Sequence, residues 1–275
     1  MKAAANSNHY VEPGTNPVAG LRTRAHLLSA PSTPLARAGL WLQTRLEDAV
    51  VSASQLPDAT VYRQQDFPWA AEIVGQWRKI RAELDAVMVY RDQMPSFHEI
   101  IKEVGTITND DQWKTFFLIN ARQISEGNAA RCPETMRLLS LIPDVSTAFF
   151  SILGPGKHIP AHRGAYNGVL RFHLGLQVPE PAEKCRIRIG DEFHCWREGQ
   201  ALIFDDSFNH EIWNDTNGYR AVLFVDFPRP LRQPWHTLNR AFLGLAPLVP
   251  FLREADARQQ AWEKDFYRGD KAAGR

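Results

Sequence analysis

The chain reads as a mainly β fold, a barrel or double-sheet jelly roll, with helices flanking it at both ends. From Ala148 to Phe227 apolar and polar residues alternate with period two, interrupted by Gly, Pro, Asn and Asp clusters. Before that run, and again from about Thr237, apolar residues recur at helical spacing. A series of short strands must bury two sheet faces without leaving open edges, and closure into a barrel or jelly roll does so.

Residues 1–32 are punctuated by proline and read as a loosely ordered arm. Ser32 or Thr33 before Pro34 then starts an amphipathic helix carrying Leu35, Ala38, Leu42, Leu46, Ala49 and Val50. Its mixed charges, Arg37, Arg45, Glu47 and Asp48, favour a strut packed on the core over a membrane-surface anchor. Asp66-Phe67-Pro68 opens a second helix with the stripe Trp69, Ile73, Trp77, Ile80, Leu84 and Val87. Trp113 to Asn120 suits a strand, and Pro133 opens a short helix bearing Met136, Leu139 and Ile142. The β run divides into Ala148–Leu153, His158–Ala161, Val169–Val178, Cys185–Ile189, Phe193–Arg197, Ala201–Phe204 and Tyr219–Phe227. A helical tail follows, with Leu238, Phe242 and Leu243, then Ala261 to Tyr267. The expected organisation is an arm at 1–32, a helical flank at 33–110, a core at 111–232 and a helical extension at 233–275. Residues 33–275 then make one domain.

Lys plus Arg (32) nearly cancel Asp plus Glu (31), which predicts no nucleic-acid partner. Eight Trp and fifteen Phe suit sheet faces and the wall of a small-molecule pocket. Cys132, Cys185 and Cys195 are too scattered for a disulfide scaffold or closed zinc site and fit a reducing compartment. The stretch CRIRIGDEFHCW reads as a hairpin with a three-residue loop Gly190-Asp191-Glu192, pairing Ile189 with Phe193 and Ile187 with Cys195. No segment approaches the ~18 uninterrupted apolar residues of a membrane span. The expected location is cytoplasmic, with peripheral membrane contact left open.

In Val169 to Leu174 the alternation sets Leu170, Phe172 and Leu174 against Arg171 and His173, as in a one-sided surface strand or a polar pocket wall. Tyr219 to Asp226 puts Arg220 on an otherwise apolar side with Val222, Phe224 and Asp226. A guanidinium buried there needs an acid, either Asp226 or another protein carboxylate, or a bound dicarboxylate. His162 and His210 both fall at strand ends beside loops. Such histidines serve as hydrogen-bonded surface residues or, brought together, as metal ligands.

The stretches HRGAYNGVLRFHLGL and CRIRIGDEFHCWREGQALIFDDSFNHEIWNDTNGYRAVLFVDF closely resemble the aspartyl/asparaginyl β-hydroxylase family, over roughly Trp113 to Pro230. The resemblance implies a double-stranded β-helix (jelly roll, cupin-like) and an Fe(II)- and 2-oxoglutarate-dependent dioxygenase consuming O2. It implies His162 and His210 as iron ligands and Arg220 as the anchor of the 2-oxoglutarate carboxylate, with Ser151, Arg171 and His173 also touching that co-substrate. Most such dioxygenases carry His-x-Asp; here Gly164 stands at the acid position, as in the family's peptidyl enzyme. That implies two protein ligands only, weak iron retention without 2-oxoglutarate, and tighter iron binding in Gly164→Asp. Asp205 and Asp206 are expected to orient a histidine or cap the loop. The glycine favours hydroxylation at the β-carbon of Asp or Asn in a peptide or protein; a lipid A acyl chain, a small metabolite, or a jelly roll that binds without catalysis are the alternatives.

Overall fold

The computed structural model describes residues 33–272, so the arm expected at 1–32 lies outside the described residues. Among the described residues the strands are β1 (Val61–Tyr62), β2 (Trp113–Asn120), β3 (Gln123–Ile124), β4 (Thr147–Leu153), β5 (His158–His162), β6 (Val169–Gln177), β7 (Cys185–Ile189), β8 (Glu192–Cys195), β9 (Ala201–Phe204), β10 (His210–Asn214) and β11 (Arg220–Pro228). All pair antiparallel, in a large sheet β1-β9-β6-β11-β4-β2-β3 and a small sheet β5-β10-β7-β8. This is a double-stranded β-helix. The helices that flank it are α1 (Pro34–Ala53), α2 (Ala70–Gly75), α3 (Trp77–Met88), α4 (Phe97–Ile100), α5 (Glu126–Arg131), α6 (Pro133–Leu139), α7 (Trp235–Gly244) and α8 (Pro250–Ala272).

Alternation sorts the strand residues into two apolar layers. Phe149, Leu153, Val222 and Phe224 of the large sheet meet Ile159, Ile187, Ile189 and Ile212 of the small one. Their neighbours in sequence, Phe150, Leu170, Phe172, Leu174, Leu223 and Val225, face the other way, against Ile73, Ile80 and Leu84 of α2 and α3. The central strands β4, β6 and β11 are therefore buried on both faces, and a polar residue on the inner face must find a partner inside the protein. Arg171 and His173 sit on that inner face, which rules out the surface-strand reading.

The structure corrects three expectations. The stripe from Trp69 to Val87 is two helices, because the chain leaves helical geometry at Gln76 (φ −108°, ψ 17°) after Gly75, the residue type that least favours a helix interior. The hairpin of β7 and β8 turns on two residues, Gly190 and Asp191, with Gly190 at φ +61°. Ile189 then pairs with Glu192 and Arg186 with Cys195, so β8 is slipped by one residue and its side chains exchange faces. The cysteines are buried and free. Finally, His210 lies at a strand end beside a loop, as expected, but the strand it opens, β10, was not among those the sequence suggested. HEIWN has a single strongly apolar burial position, Ile212, and so carries little alternation signal.

The segment joining β9 to β10 is fixed by a buried ion pair between Arg229 and Asp205, both side chains fully shielded. Arg229 also donates to the Asn167 carbonyl (2.7 Å) and the Tyr62 hydroxyl (2.8 Å), while Asp205 accepts the Ser207 N–H (3.0 Å). Asp205 thus caps the loop, as expected. Replacing Arg229 with Met strands the Asp205 carboxylate in the interior and should cost about 3–5 kcal/mol in urea denaturation. A loss below about 1 kcal/mol would mean that the pair does not secure this segment.

Candidate active site

Antiparallel pairing sets His162, at the end of β5, directly opposite His210, at the start of β10. Their ring centroids are 4.1 Å apart. The register slips beside the pair: His210 to Ile212 spans two steps on β10 while His162 to Ile159 spans three on β5. The extra residue falls at the Pro160-Ala161 stretch, where a proline lacks the N–H that a regular ladder would use. Each imidazole is held by its inner nitrogen. His162 Nδ1 bonds the Pro160 carbonyl at 2.9 Å and His210 Nδ1 the Phe208 carbonyl at 3.0 Å. A carbonyl only accepts, so both Nδ1 atoms carry the proton and both Nε2 lone pairs remain for another group. Burial pushes His162 down to about 4 and His210 well below the usual histidine range, so both rings are neutral. Among the described residues no third His, Cys, Asp or Glu completes a cluster around them.

At Gly164 the backbone N–H donates to the Asp206 carbonyl (2.6 Å), and a Cβ would land inside the Asp206 carboxylate. The space of a side chain at 164 is thus taken by an acid from the other loop. Asp206 binds Arg171 at 2.9 Å, and Arg171 also forks onto Asp226 at 2.8 and 3.0 Å. Burial opposes charge on Arg171, but these two carboxylates outweigh it and raise its pKa; burial likewise raises that of Asp206. Arg171 therefore stands in the site wall with its guanidinium committed to protein acids. By the same geometry, an Asp introduced at 164 would have to displace the Asp206 carboxylate to reach the site.

Arg220 differs. It is 1% exposed, and its Nε and Nη1 have no hydrogen-bond partner. Its neighbours are the Trp196 ring, 4.4 Å from the guanidinium carbon, and the Cys185 thiol. Asp226, the candidate protein partner, is engaged with Arg171. Burial without an acid beside it draws the Arg220 pKa down to about 10, which still leaves it charged at neutral pH. His173 lies near, both ring nitrogens buried and unbonded, its pKa lowered by burial and by Arg220 and Arg171. Ser151 is buried on β4, where its Oγ accepts the Trp113 indole N–H at 3.0 Å and keeps its own proton to donate. Trp196 Nε1 is also unbonded.

A buried cation with idle donors, a neutral imidazole, a hydroxyl and an indole N–H make a cradle for a small anion. The paired neutral imidazoles suit a divalent transition metal with several open positions. Both groups expected from the sequence fit the residues present. Trp113 and Trp196 belong to the site but carry no spacing signal. Asp206, expected to orient a histidine or cap the loop, instead binds Arg171 and fills the space beside Gly164.

A family model for "Aspartyl/Asparaginyl beta-hydroxylase" matches residues 75–230, beginning within the helical flank, well before Trp113. An ornithine lipid ester-linked acyl 2-hydroxylase of Rhizobium tropici is 49% identical over 214 residues, 78% of this chain and 76% of that protein. The human aspartyl/asparaginyl beta-hydroxylase is 35% identical over 163 residues, 58% of this chain; the match spans 21% of the human protein's length. Among solved structures, a Pseudomonas putida prolyl-4-hydroxylase aligns over 56% of this chain and 87% of its own, at 16% identity and a TM-score of 0.38. With over half of its length matched by the family model, this chain belongs to the aspartyl/asparaginyl β-hydroxylase family of hydroxylases.

Proposed function

We propose that the protein is an Fe(II)- and 2-oxoglutarate-dependent hydroxylase whose substrate is the acyl chain of an amphiphilic lipid. The observation that carries the cofactor assignment is Arg220, a buried guanidinium with two unbonded nitrogens and no acid beside it, in a site that also holds two neutral imidazoles. His162 and His210 hold the iron; Arg220 and Ser151 hold the carboxylate of 2-oxoglutarate remote from the metal. His173 and Trp196 line the space between, and Arg171, held by Asp206 and Asp226, stiffens the wall. When bound, iron and 2-oxoglutarate supply the oxidative chemistry that takes O2, releases succinate and CO2, and converts an unactivated C–H to C–OH. This chain's residues fix the co-substrate, keep the imidazoles neutral and in one tautomer, and shield the site with apolar walls.

The lipid assignment rests on the extent of similarity to the Rhizobium hydroxylase, three quarters of each chain. The peptide reading keeps one supporting observation, the glycine at 164. Purified protein with Fe(II), ascorbate, 2-oxoglutarate and a panel of ornithine-type lipids, lipid A and Asp- or Asn-containing peptides should add one oxygen atom to a lipid acyl chain, read by mass spectrometry, with matching succinate. Oxygen gained on peptide alone would replace the lipid reading; no succinate with any substrate would remove the enzyme reading.

Two variants test the site. Arg220→Ala should weaken 2-oxoglutarate binding by 2 kcal/mol or more, roughly thirtyfold or greater by calorimetry, since it removes a buried charge-assisted fork. An unchanged affinity would place the co-substrate elsewhere. Gly164→Asp should leave iron affinity untightened and cost about 1–3 kcal/mol of stability through overpacking against Asp206. Tighter iron with undiminished stability would show that Asp206 yields its place freely.

A further inference from the structure

The segment after the last core strand is unlike the rest of the chain. From Phe227 to Arg253 it has no acidic residue, in a protein otherwise balanced in charge; of its four arginines Arg229 is buried against Asp205 and Arg240 pairs with Asp144, while Arg232 and Arg253 are exposed. The same segment exposes large apolar side chains. Leu238, Phe242 and Leu245, 54%, 51% and 53% exposed, recur at i, i+4 and i+7 along one stripe of α7 and just past its end. Leu248 (69%) and Phe251 extend it. An adjacent face of α7 holds the helix in place, with buried Asn239 bonded to the Gly168 carbonyl (2.8 Å) and the Tyr166 hydroxyl (2.9 Å). The stripe is thus turned outward on an anchored helix.

The patch is continuous with the candidate active site. The Phe242 ring packs against Tyr166 at 5.1 Å, and Tyr166 lies in the loop that leaves His162 and Gly164. On the other side of that loop α1 docks through Gln43 to the Ala165 carbonyl (3.0 Å) and Glu47 to Arg163 (2.7 Å). One turn earlier α1 exposes Trp41 and Leu42, with Arg45 over the Trp41 ring.

We propose that α7, the residues following it and the exposed end of α1 form an interfacial face that docks on an anionic lipid bilayer, bringing the loop beside His162 to the membrane surface. Exposed Leu and Phe on the α7 segment, with the exposed cations Arg232 and Arg253 and no acid at 227–253, and exposed Trp41 on α1 beside Arg45, is the composition that enters the headgroup layer and is retained by negative lipid. No helix of the described residues is long and apolar enough to cross a membrane, so the contact is with one leaflet. The inference deepens the lipid reading of the substrate. It returns α1 in part to the membrane-surface role that its mixed charges disfavoured: Gln43 and Glu47 dock it as a strut, while Trp41 and Leu42 stand exposed.

Flotation of the full chain with phosphatidylcholine vesicles, with and without phosphatidylglycerol, tests it. The protein should float with the anionic vesicles and be released by salt. Leu238→Ser/Leu245→Ser should reduce binding at least roughly tenfold, whereas Val89→Ser, at a more exposed apolar position outside the patch, should not. Both patch residues are exposed, so circular dichroism should report an intact fold. No flotation with either vesicle, or equal flotation of the double variant, overturns the proposal. So does a dimer seen by light scattering that the double variant abolishes without vesicle binding, because the occupant is then a second copy. Hydroxylation of detergent-dispersed lipid is read separately: if it persists without flotation, docking fails and the lipid reading stands. Flotation with oxygen added only to peptide is the converse.

Discussion

The site depends on one cross-strand pair. Because β5 and β10 run antiparallel with His162 opposite His210, two residues far apart in sequence are brought to a single point by backbone hydrogen bonds. Everything nearby preserves that register. The bulge at Pro160 aims the first ring, the Asp205–Arg229 pair fixes the segment leading to the second, and the Gly164-to-Asp206 bond joins the two loops. Backbone carbonyls finish the task by selecting one tautomer for both rings.

The second constraint is the treatment of charge in a sheet buried on both faces. Arg171 and Arg220 come from neighbouring strands and face the same interior, yet only Arg171 has acids. The interior therefore distinguishes a structural arginine, neutralised within the chain, from one that faces an empty charge balance. Leaving such a group unpaired destabilises the fold, and a protein tolerates it where function uses it.

Much of this was legible in the sequence. Period-two alternation located most of the β run, and it put Arg220 inward with Phe224 because a strand's face is fixed by parity alone. Parity could not show which acid Arg171 takes, since Asp226 shares the inner face of β11 with Arg220 and lies opposite Arg171 only once β6 and β11 are paired. The hairpin turns on two residues and not three, and parity magnifies that one residue into an exchange of faces. Strand β10 gave almost no signal, having little apolar side chain to alternate. The family resemblance, carried by the motifs around the two histidines, joined the separate signals into a site. The acid-free apolar segment at 227–253 was visible as composition, but its outward stripe needed the helix to be anchored by Asn239.

On the reading proposed above, the position of Arg220 also bears on what happens after turnover. It grips the carboxylate that takes no part in the reaction, and succinate keeps that carboxylate unchanged. The fork therefore holds product as it holds co-substrate, and the difference between them lies wholly at the metal end, where one oxo-acid group has been lost. Were iron held by His162 and His210 alone, that end would also be where exchange is easiest. With iron and 2-oxoglutarate bound, product release would therefore depend on the metal end, while the buried arginine would hold either dicarboxylate alike.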